Sequence, residues 1–530
     1  MTDLETAKRI AELAAQAGGR AYFVGGFVRD ELLRSAEAGA PSSSGSAADR
    51  EPGSSGSAEN MEPGSSGSAA ASADHKDIDI EVHGLTPQQL REVLEQVGEV
   101  LQYGSSFGIY GLAGHSIDIA MPRKERAVSA PRVQGDAVSA PQGSPDSAAG
   151  APRGHRDFEV FVDPFLGTTE AARRRDFTIN AMMQDVLTGE ILDPFGGRAD
   201  LKAGILRHVD DASFAEDPLR VLRCAQFAAR FTVPAAPTST SCSSAAVPSA
   251  QPRNFTVAPQ TIALCSRMDL SGLSRERVEG ELKKALLKAP KPSVFFETLR
   301  SMDQLGTWFP ELQQLIGLPQ DPVYHPEGDV WTHTMQVIDR AASHRADASE
   351  PYRFMLLALL HDLGKIVTTE EKDGRIHAYG HETLGLPLIE AFLRRITGEQ
   401  AVADYVLNMV PLHMKPNMAA FSKASVKSTN HMFDQAAAPK DLIYMGMSDK
   451  PVMSGSTPFT GDSAFLFERL KAYQDTMAAP FVTGKDLIEA GLQPGEHFHE
   501  LLAYAHKLRL AGIDKTTALK QVLRYKPPRK

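Results

Sequence analysis

At 530 residues, 42% of them hydrophobic and 23% charged, the chain has material for three or four domains with substantial cores. Its formal net charge of −10 does not read as that of a nucleic-acid binder, but such affinity comes from local basic clusters rather than from the total. The cysteines Cys224, Cys242 and Cys265 include no CxxC pair, which argues against a disulfide framework and against a zinc ribbon. No run approaches the roughly 18 to 20 apolar residues that span a bilayer. The expected compartment is the cytoplasm, with no membrane partner.

In chain order, Thr2–Ala17 carries Leu4, Ala7, Ile10, Ala11 and Ala14 at helical spacing, an amphipathic helix without the continuous apolar core of a secretory signal. Ala21–Val24 is a short apolar strand that runs into Gly25-Gly26 and a helix. Residues 36–74, 127–153 and 234–253 are rich in Ser, Gly, Ala and Pro. The first repeats EPGSSGSA and the second repeats AVSAP. Such stretches cannot offset their ordering entropy by burial, and they are expected to be flexible insertions. Between them, Asp77–Val82 reads as a strand, Thr86–Val97 as an amphipathic helix, and Leu101–Leu112 and Ser116–Met121 as further strands. Beyond Arg173 the pattern is almost wholly helical. The expected fold class is α+β, an α/β head followed by an α-helical body.

The strand Asp77-Ile78-Asp79-Ile80-Glu81-Val82 is the most informative stretch. Side chains alternate, so Asp77, Asp79 and Glu81 share one face. Neighbouring carboxylates repel, a cost that hard divalent cations with oxygen ligands relieve. Asp118, between Ile117 and Ile119, offers one more carboxylate, and three such groups make a minimal cage for two Mg²⁺ ions in phosphoryl transfer. A solvated acidic edge strand is the competing reading. The Gly25-Gly26 turn adds a second element, because glycines at a helix start let backbone amides approach phosphate, and Arg29 lies one turn in.

Arg174-Arg175-Asp176-Phe177-Thr178-Ile179-Asn180-Ala181-Met182 is where the pattern resembles a known family, the class II CCA-adding enzymes and poly(A) polymerases. Asp193–Leu201 resembles that family's next block, a turn between head and neck. In Glu216-Asp217-Pro218-Leu219-Arg220, Asp217 reads as an N-cap and Pro218 as the first helical residue, with Arg220, Arg223 and Arg230 on one face. Ser274–Leu282 reads as another capped helix start. The resemblance implies that Asp77 and Asp79 hold Mg²⁺ while Asp118 positions or deprotonates the tRNA 3′-hydroxyl. It further implies that Gly25, Gly26, Arg29 and Arg175 steady the triphosphate. Asp217 and Arg220, with Arg223, would select CTP or ATP by the base edge, and Asp176 and Asn180 would orient that pocket. In the family the loop before the Asp-x-Asp strand helps complete nucleotide addition, and here the 36–74 insertion occupies it.

Further along, His333 shares a helix face with Val330 and Val337. Tyr352–Leu363 reads as an apolar helix ending in His361-Asp362, and a buried pair of that kind is costly unless ligated or hydrogen-bonded. With Asp449 these residues resemble the HD phosphohydrolase superfamily, which implies a metal held by His333, His361, Asp362 and Asp449. His381 is a further candidate ligand, and His377 and His413 are candidates for ligand or phosphate contacts. Imidazole plus carboxylate suits Ni, Zn, Mn or Fe alike. The tail ends in a basic cluster, Lys520, Arg524, Lys526, Arg529 and Lys530, either a solvated end or a hold on tRNA backbone.

The expected organisation is a nucleotidyltransferase head over 1–182, a helical neck over 183–290, an HD domain over 291–455 and a helical tail over 456–530. The expected function is addition of C and A to the 3′ end of tRNA from CTP and ATP, with metal-dependent phosphate-ester hydrolysis in the HD domain. Poly(A) synthesis, A-only or CC-only addition, and a metal phosphohydrolase with a silent polymerase head are the alternatives.

Overall fold

A computed structural model of the chain describes residues 1–38, 78–103, 108–127, 158–232, 255–450, 460–495 and 497–525. Asp77, most of the three insertions and the last basic residues, Lys526, Arg529 and Lys530, lie outside them. The fold is α+β, with two compact units, Met1–Asp217 with Thr238–Thr261, and Pro218–Pro237 with Ile262–Lys530.

The first unit is built on a seven-stranded mixed sheet. Helix α1 (Asp3–Gln16) starts at a reciprocal cap, Thr2 accepting from the Glu5 amide while the Glu5 carboxylate accepts from the Thr2 amide. Its Ala7, Ile10, Ala11 and Ala14 are buried, as their spacing requires. Strand β1 (Arg20–Val24) leads through Gly25 into α2 (Gly26–Ala38). Then come β2 (Ile78–His83), α3 (Pro87–Glu95), β3 (Val100–Gln102), β4 (Ile109–Leu112) and β5 (Ile117–Ala120). A further pair, β6 (Arg123–Ala127) and β7 (Phe158–Val162), forms a separate two-stranded ribbon. After α4 (Thr168–Arg173), β8 (Met183–Asp185) and β9 (Ile191–Leu192) rejoin the main sheet, whose order is β3-β4-β5-β2-β1-β8-β9.

Two expectations need correction here. Leu101–Leu112 is an antiparallel pair rather than one strand, with Val100 opposite Leu112, and β4 follows Gly108 in a left-handed conformation, φ +58°. The chain beyond Arg173 is also not all helical. Asp185 accepts from the Leu187 and Thr188 amides and so closes a tight turn that pairs β8 with β9.

β2 is central, parallel to β5 on one side and antiparallel to β1 on the other. The strand is paired along both edges, and the face that Ile78, Ile80 and Val82 share is packed in the core, each of them 5% exposed or less.

The second unit is helical apart from one small hairpin among its described residues, Glu370–Lys372 with Arg375–His377. Helix Pro351–Leu360 is its axis, buried without interruption from Phe354 to Leu360. It ends at Leu360, earlier than the expected Leu363, and His361–Gly364 form a turn. A Cβ on Gly364 would overlap the His381 carbonyl, so this turn packs backbone against backbone. Near the C-terminal end, Val482, Leu487, Leu501, Ala505, Ala518 and Val522 close a small core of their own. No helix of the described residues is long and apolar enough to cross a membrane.

Candidate active sites

In the first unit the parallel register of β2 and β5 sets Asp79 directly opposite Asp118. Side chains on parallel partners at the same register share a face, so the two carboxylates stand together, Asp79 half-buried and Asp118 exposed, between buried isoleucines. Gly25 sits at the end of the neighbouring strand with φ +64°. A Cβ there would lie 3.3 Å from Arg175 Nη1 and 3.8 Å from Asp79 Oδ2. Glycine therefore meets two demands, a left-handed turn and open space in front of an aspartate and an arginine.

Arg175 is held from behind. Its Nη2 donates to Glu81 Oε2 at 3.0 Å, and Glu81 Oε1 is 2.8 Å from His83 Nε2. His83 Nδ1 in turn reaches the Leu166 carbonyl at 3.1 Å. Burial pushes the Glu81 pKa up, but the His83 hydrogen bond and the Arg175 charge outweigh it and hold the carboxyl below its ordinary value of 4.5. Arg175 Nε is buried without a hydrogen-bond partner, leaving donor capacity on a guanidinium that faces the glycine turn.

Arg29 is only 3% exposed, and its Nη1 donates to Asn180 Oδ1 at 2.6 Å while its Nε donates to Asp30. Asp176 Oδ1 accepts from Asn180 Nδ2 at 2.9 Å and from the Phe177 amide. Arg29, Asn180 and Asp176 thus form one buried chain linking the start of α2 to the Arg-Asp-Phe-Thr segment. A Cβ on Gly26 would lie 3.4 Å from Arg29 Nη2, so that chain lies directly beneath the glycine turn. Glu81 and His83 were not singled out as site residues from the sequence. Their partner Arg175 is 94 positions away from Glu81, beyond the reach of any local pattern.

Asp217 closes the first unit, and Arg220 and Arg223 lie in the helix that opens the second, Leu219–Arg230. Pro218 occupies the cap position of that helix, directly after Asp217. Proline has no N–H and its ring fixes φ, which suits it to a helix start. Arg220, Arg223 and Arg230 are partly exposed where their neighbours Val221, Leu222 and Ala229 are buried, and Arg223 Nη1 stands 3.9 Å from buried Glu281. Ser274 starts helix Arg275–Lys288 without a side-chain cap bond.

The second unit gathers four of its histidines around one centre. His333 comes from helix Val330–His344, His361 and Asp362 from the turn after Leu360, His381 from the start of His381–Leu384, His413 from the turn after Leu412, and Asp449 from the end of Pro439–Asp449. One atom each of His333, His361 and Asp449 lie within 4.8 Å of one another, and so do those of Asp362, His381 and His413. His361 Nε2 is 3.2 Å from Asp362 and 3.4 Å from Asp449 without the alignment of a hydrogen bond. Asp362 also lies 3.2 Å from His381 Nε2 and 2.8 Å from Lys365 Nζ.

The other ring nitrogens are committed elsewhere. Nδ1 of His361, His381 and His413 faces the carbonyl three residues back, Ala358, Ala378 and Val410, at 2.9, 2.9 and 2.7 Å. His333 Nδ1 faces Glu327 Oε1 at 2.6 Å. A carbonyl can only accept, so Nδ1 carries the proton and Nε2 turns its lone pair or second proton to the centre. That outer shell is how proteins prepare imidazoles for metal, and the donor set, with the unsatisfied His361 Nε2, fits a divalent ion. Burial lowers the His361 pKa, but the Asp362 and Asp449 carboxylates outweigh it and raise the imidazole to about 10. His413 is pushed down to about 4, by burial first and by the His361 charge next. Glu327 and Lys365 belong to this centre although the sequence singled out neither as a site residue. His377 lies outside both groups of three, on the hairpin.

A family model for the poly(A) polymerase head domain matches residues 69–207, and one for the HD domain matches residues 330–449. A multifunctional CCA protein of Cupriavidus metallidurans is 42% identical over 373 residues, covering 68% of this chain and 81% of that protein. One of Halorhodospira halophila is 40% identical over 270 residues, half of this chain and 58% of the relative. Among solved structures, the Thermotoga maritima CCA-adding enzyme complexed with tRNA superposes with a TM-score of 0.55 at 17% identity, over 98% of this chain and 94% of that one. A CCA-adding enzyme in complex with ATP gives 0.57 at 17% identity, over 98% and 95%. At that identity the likeness is one of fold.

Two outcomes follow from the electrostatics. Because the Glu81 pKa is lowered, its ion pair stabilises the fold above the ordinary carboxylate range and is lost as pH falls through the folded value. Glu81→Gln should therefore cost about 1–3 kcal/mol of stability near neutrality, and the gap in thermal midpoints should close on acidification. A gap that stays constant with pH would contradict the ion pair. In the second unit, a metal must displace the proton that His361 retains at neutrality. Metal titrations in buffers of different ionisation enthalpy should show proton release, with affinity falling from about pH 8 to about pH 6. Binding without proton release would contradict this assignment.

Proposed function

The chain belongs to the family of the multifunctional CCA proteins, and from that premise we propose that it adds C and A nucleotides to the 3′ end of tRNA from CTP and ATP, releasing pyrophosphate. The observation that carries the residue assignment is the pairing of Asp79 with Asp118 across parallel strands, in front of Gly25 and Arg175.

Asp79 and Asp118, with Asp77 two residues earlier in sequence, are the groups to hold divalent ions, Mg²⁺ in this reading. Such ions, when bound, supply Lewis-acid stabilisation of the charge that develops on the α-phosphate. The residues themselves position the reactants. Gly25 and Gly26 bring the amides at the start of α2 close to the triphosphate, and Arg175, braced by Glu81, neutralises it. Arg29 acts from below, keeping the turn in place through Asn180 and Asp176. Asp118 orients the 3′-hydroxyl and takes its proton as the bond from that oxygen to the α-phosphorus forms. The bond from the α-phosphorus to the bridging oxygen breaks, and pyrophosphate leaves.

By the family resemblance, base choice falls to Asp217 and Arg220, with Arg223 beside them in sequence. A carboxylate accepts from the exocyclic amino group that cytosine and adenine share, while a guanidinium donates to a ring nitrogen or carbonyl. A wrong base leaves such groups unpaired, at a cost of about 1–3 kcal/mol each. The workplace in this reading is the cytoplasm, where tRNA, CTP and ATP are its partners.

For the second unit we infer metal-dependent hydrolysis of phosphate esters, with His333, His361, Asp362 and Asp449 as ligands and His381 and His413 completing the set. What supports it is the convergence of four imidazoles whose Nδ1 atoms are each held from behind. A transition metal suits that nitrogen-rich set.

The direct experiment offers labelled CTP and ATP, separately and together, to tRNA lacking its 3′-terminal CCA. Wild-type protein should incorporate C first and A only after it, and Asp79→Ala should reduce incorporation on the order of a hundredfold or more with tRNA affinity retained. Incorporation of A alone would replace this reading by an A-only or poly(A) activity, and full activity in Asp79→Ala would refute the site.

A further inference from the structure

A cavity of about 560 Å³ opens over the histidine centre, and its walls carry features that metal binding alone does not need. The hairpin Glu370–Lys372 with Arg375–His377 runs into Ala378, whose carbonyl faces His381 Nδ1 at 2.9 Å. Wall and candidate ligand are therefore one piece of structure. On that wall the rings of His377 and Tyr379 stack, centroids 4.9 Å apart and planes within 13°. Tyr379 is 71% exposed, and so is Tyr324, which lines the same cavity. Single exposed aromatics are ordinary. A pre-stacked pair on the wall of a cavity that also carries charged groups is different, because it offers a flat π surface already ordered for another ring.

Cations complete the wall and the floor. Lys365 Nζ is fixed between Asp362 at 2.8 Å and Gln320 Oε1 at 2.7 Å. Arg375 lines the cavity from the hairpin and is exposed, with a planar fork suited to phosphate oxygens. A cavity with a phosphate-seeking floor and an aromatic rim matches a ligand that has a phosphate at one end and a flat heterocycle at the other.

We propose that the His377–Tyr379 stack is the base-recognition platform of the hydrolase centre. The pocket takes a nucleoside phosphate with its base on the stack and its ester toward Asp362 and Lys365, Arg375 contacting the phosphate, and it discriminates against esters that lack a base. This rests on the hydrolase reading above and adds to it the group that selects the substrate.

The test is calorimetric titration of the full-length, metal-loaded protein, made throughout in an Asp217→Ala/Arg220→Ala background so that the head's base-recognising groups do not take the probe. The probes are adenosine 2′-phosphorothioate, a slowly cleaved nucleotide, and glycerol 2-phosphorothioate, a related ester without a base. Tyr379→Ala should weaken the nucleotide about tenfold, near 1.4 kcal/mol, and Tyr379→Phe should bind as the parent does. The glycerol ester should bind all three proteins alike. Equal weakening of both probes would make Tyr379 merely structural, and an unchanged nucleotide affinity would remove the platform; either result overturns the proposal, as does a parent that binds both probes equally. Phosphate release from the corresponding oxygen esters is measured alongside. If binding follows the expected pattern but no phosphate is released, the hydrolase reading fails while the platform stands.

Discussion

Parallel pairing of β2 with β5 is the constraint on which the first unit depends. A parallel register places directly opposed side chains on one face, so Asp79 and Asp118 are forced together while Ile78, Ile80, Ile117 and Ile119 anchor the two strands in the core. Two adjacent carboxylates repel, and the fold places an arginine close by, held by Glu81 in the same strand as Asp79. One strand thus supplies an acidic ligand through Asp79 and, through Glu81, the brace for the cation beside it. A slip of one residue in that register would send every one of these groups to the opposite face.

The second unit solves a related problem with different means. Six ionisable side chains, Asp449 the least buried of them, meet at one centre, where neighbouring carboxylates raise the His361 imidazole and burial with the His361 charge lowers that of His413. The costs of burying polar groups are met by fixed partners at each Nδ1, three of them the carbonyl three residues earlier. For His361 and His413 that recurrence arises because each follows a helix end, where carbonyls lack partners further along the chain. The same device that satisfies a helix end fixes the orientation of a ligand.

Much of this was legible in the sequence, and the legible parts share a cause. Strand alternation announced the acidic face at Asp79, the glycine pair announced the turn, and His361-Asp362 at the end of an apolar run announced a buried polar centre. Each is a local pattern read at a period of two or at a chain break. What stayed hidden depends on distant approach. Glu81 was visible as a carboxylate on the right face, but not as the brace of Arg175. Arg29 was legible as a residue one turn into the helix, but only the fold reveals Asn180 as one of its partners, 151 positions away. The strands at Met183 and Ile191 were missed because three and two residues are too few to show a period.

The account stands or falls on divalent ions gathering between the strands that carry Asp79 and Asp118. A crystal soaked with Mn²⁺ and an uncleavable CTP analogue, with data collected at the manganese edge, measures this directly. The account predicts anomalous density within coordination distance of both carboxylates, with the triphosphate lying along Gly25 and Gly26 and reaching Arg175. Manganese bound elsewhere in the head, or a triphosphate turned away from that turn, would contradict it.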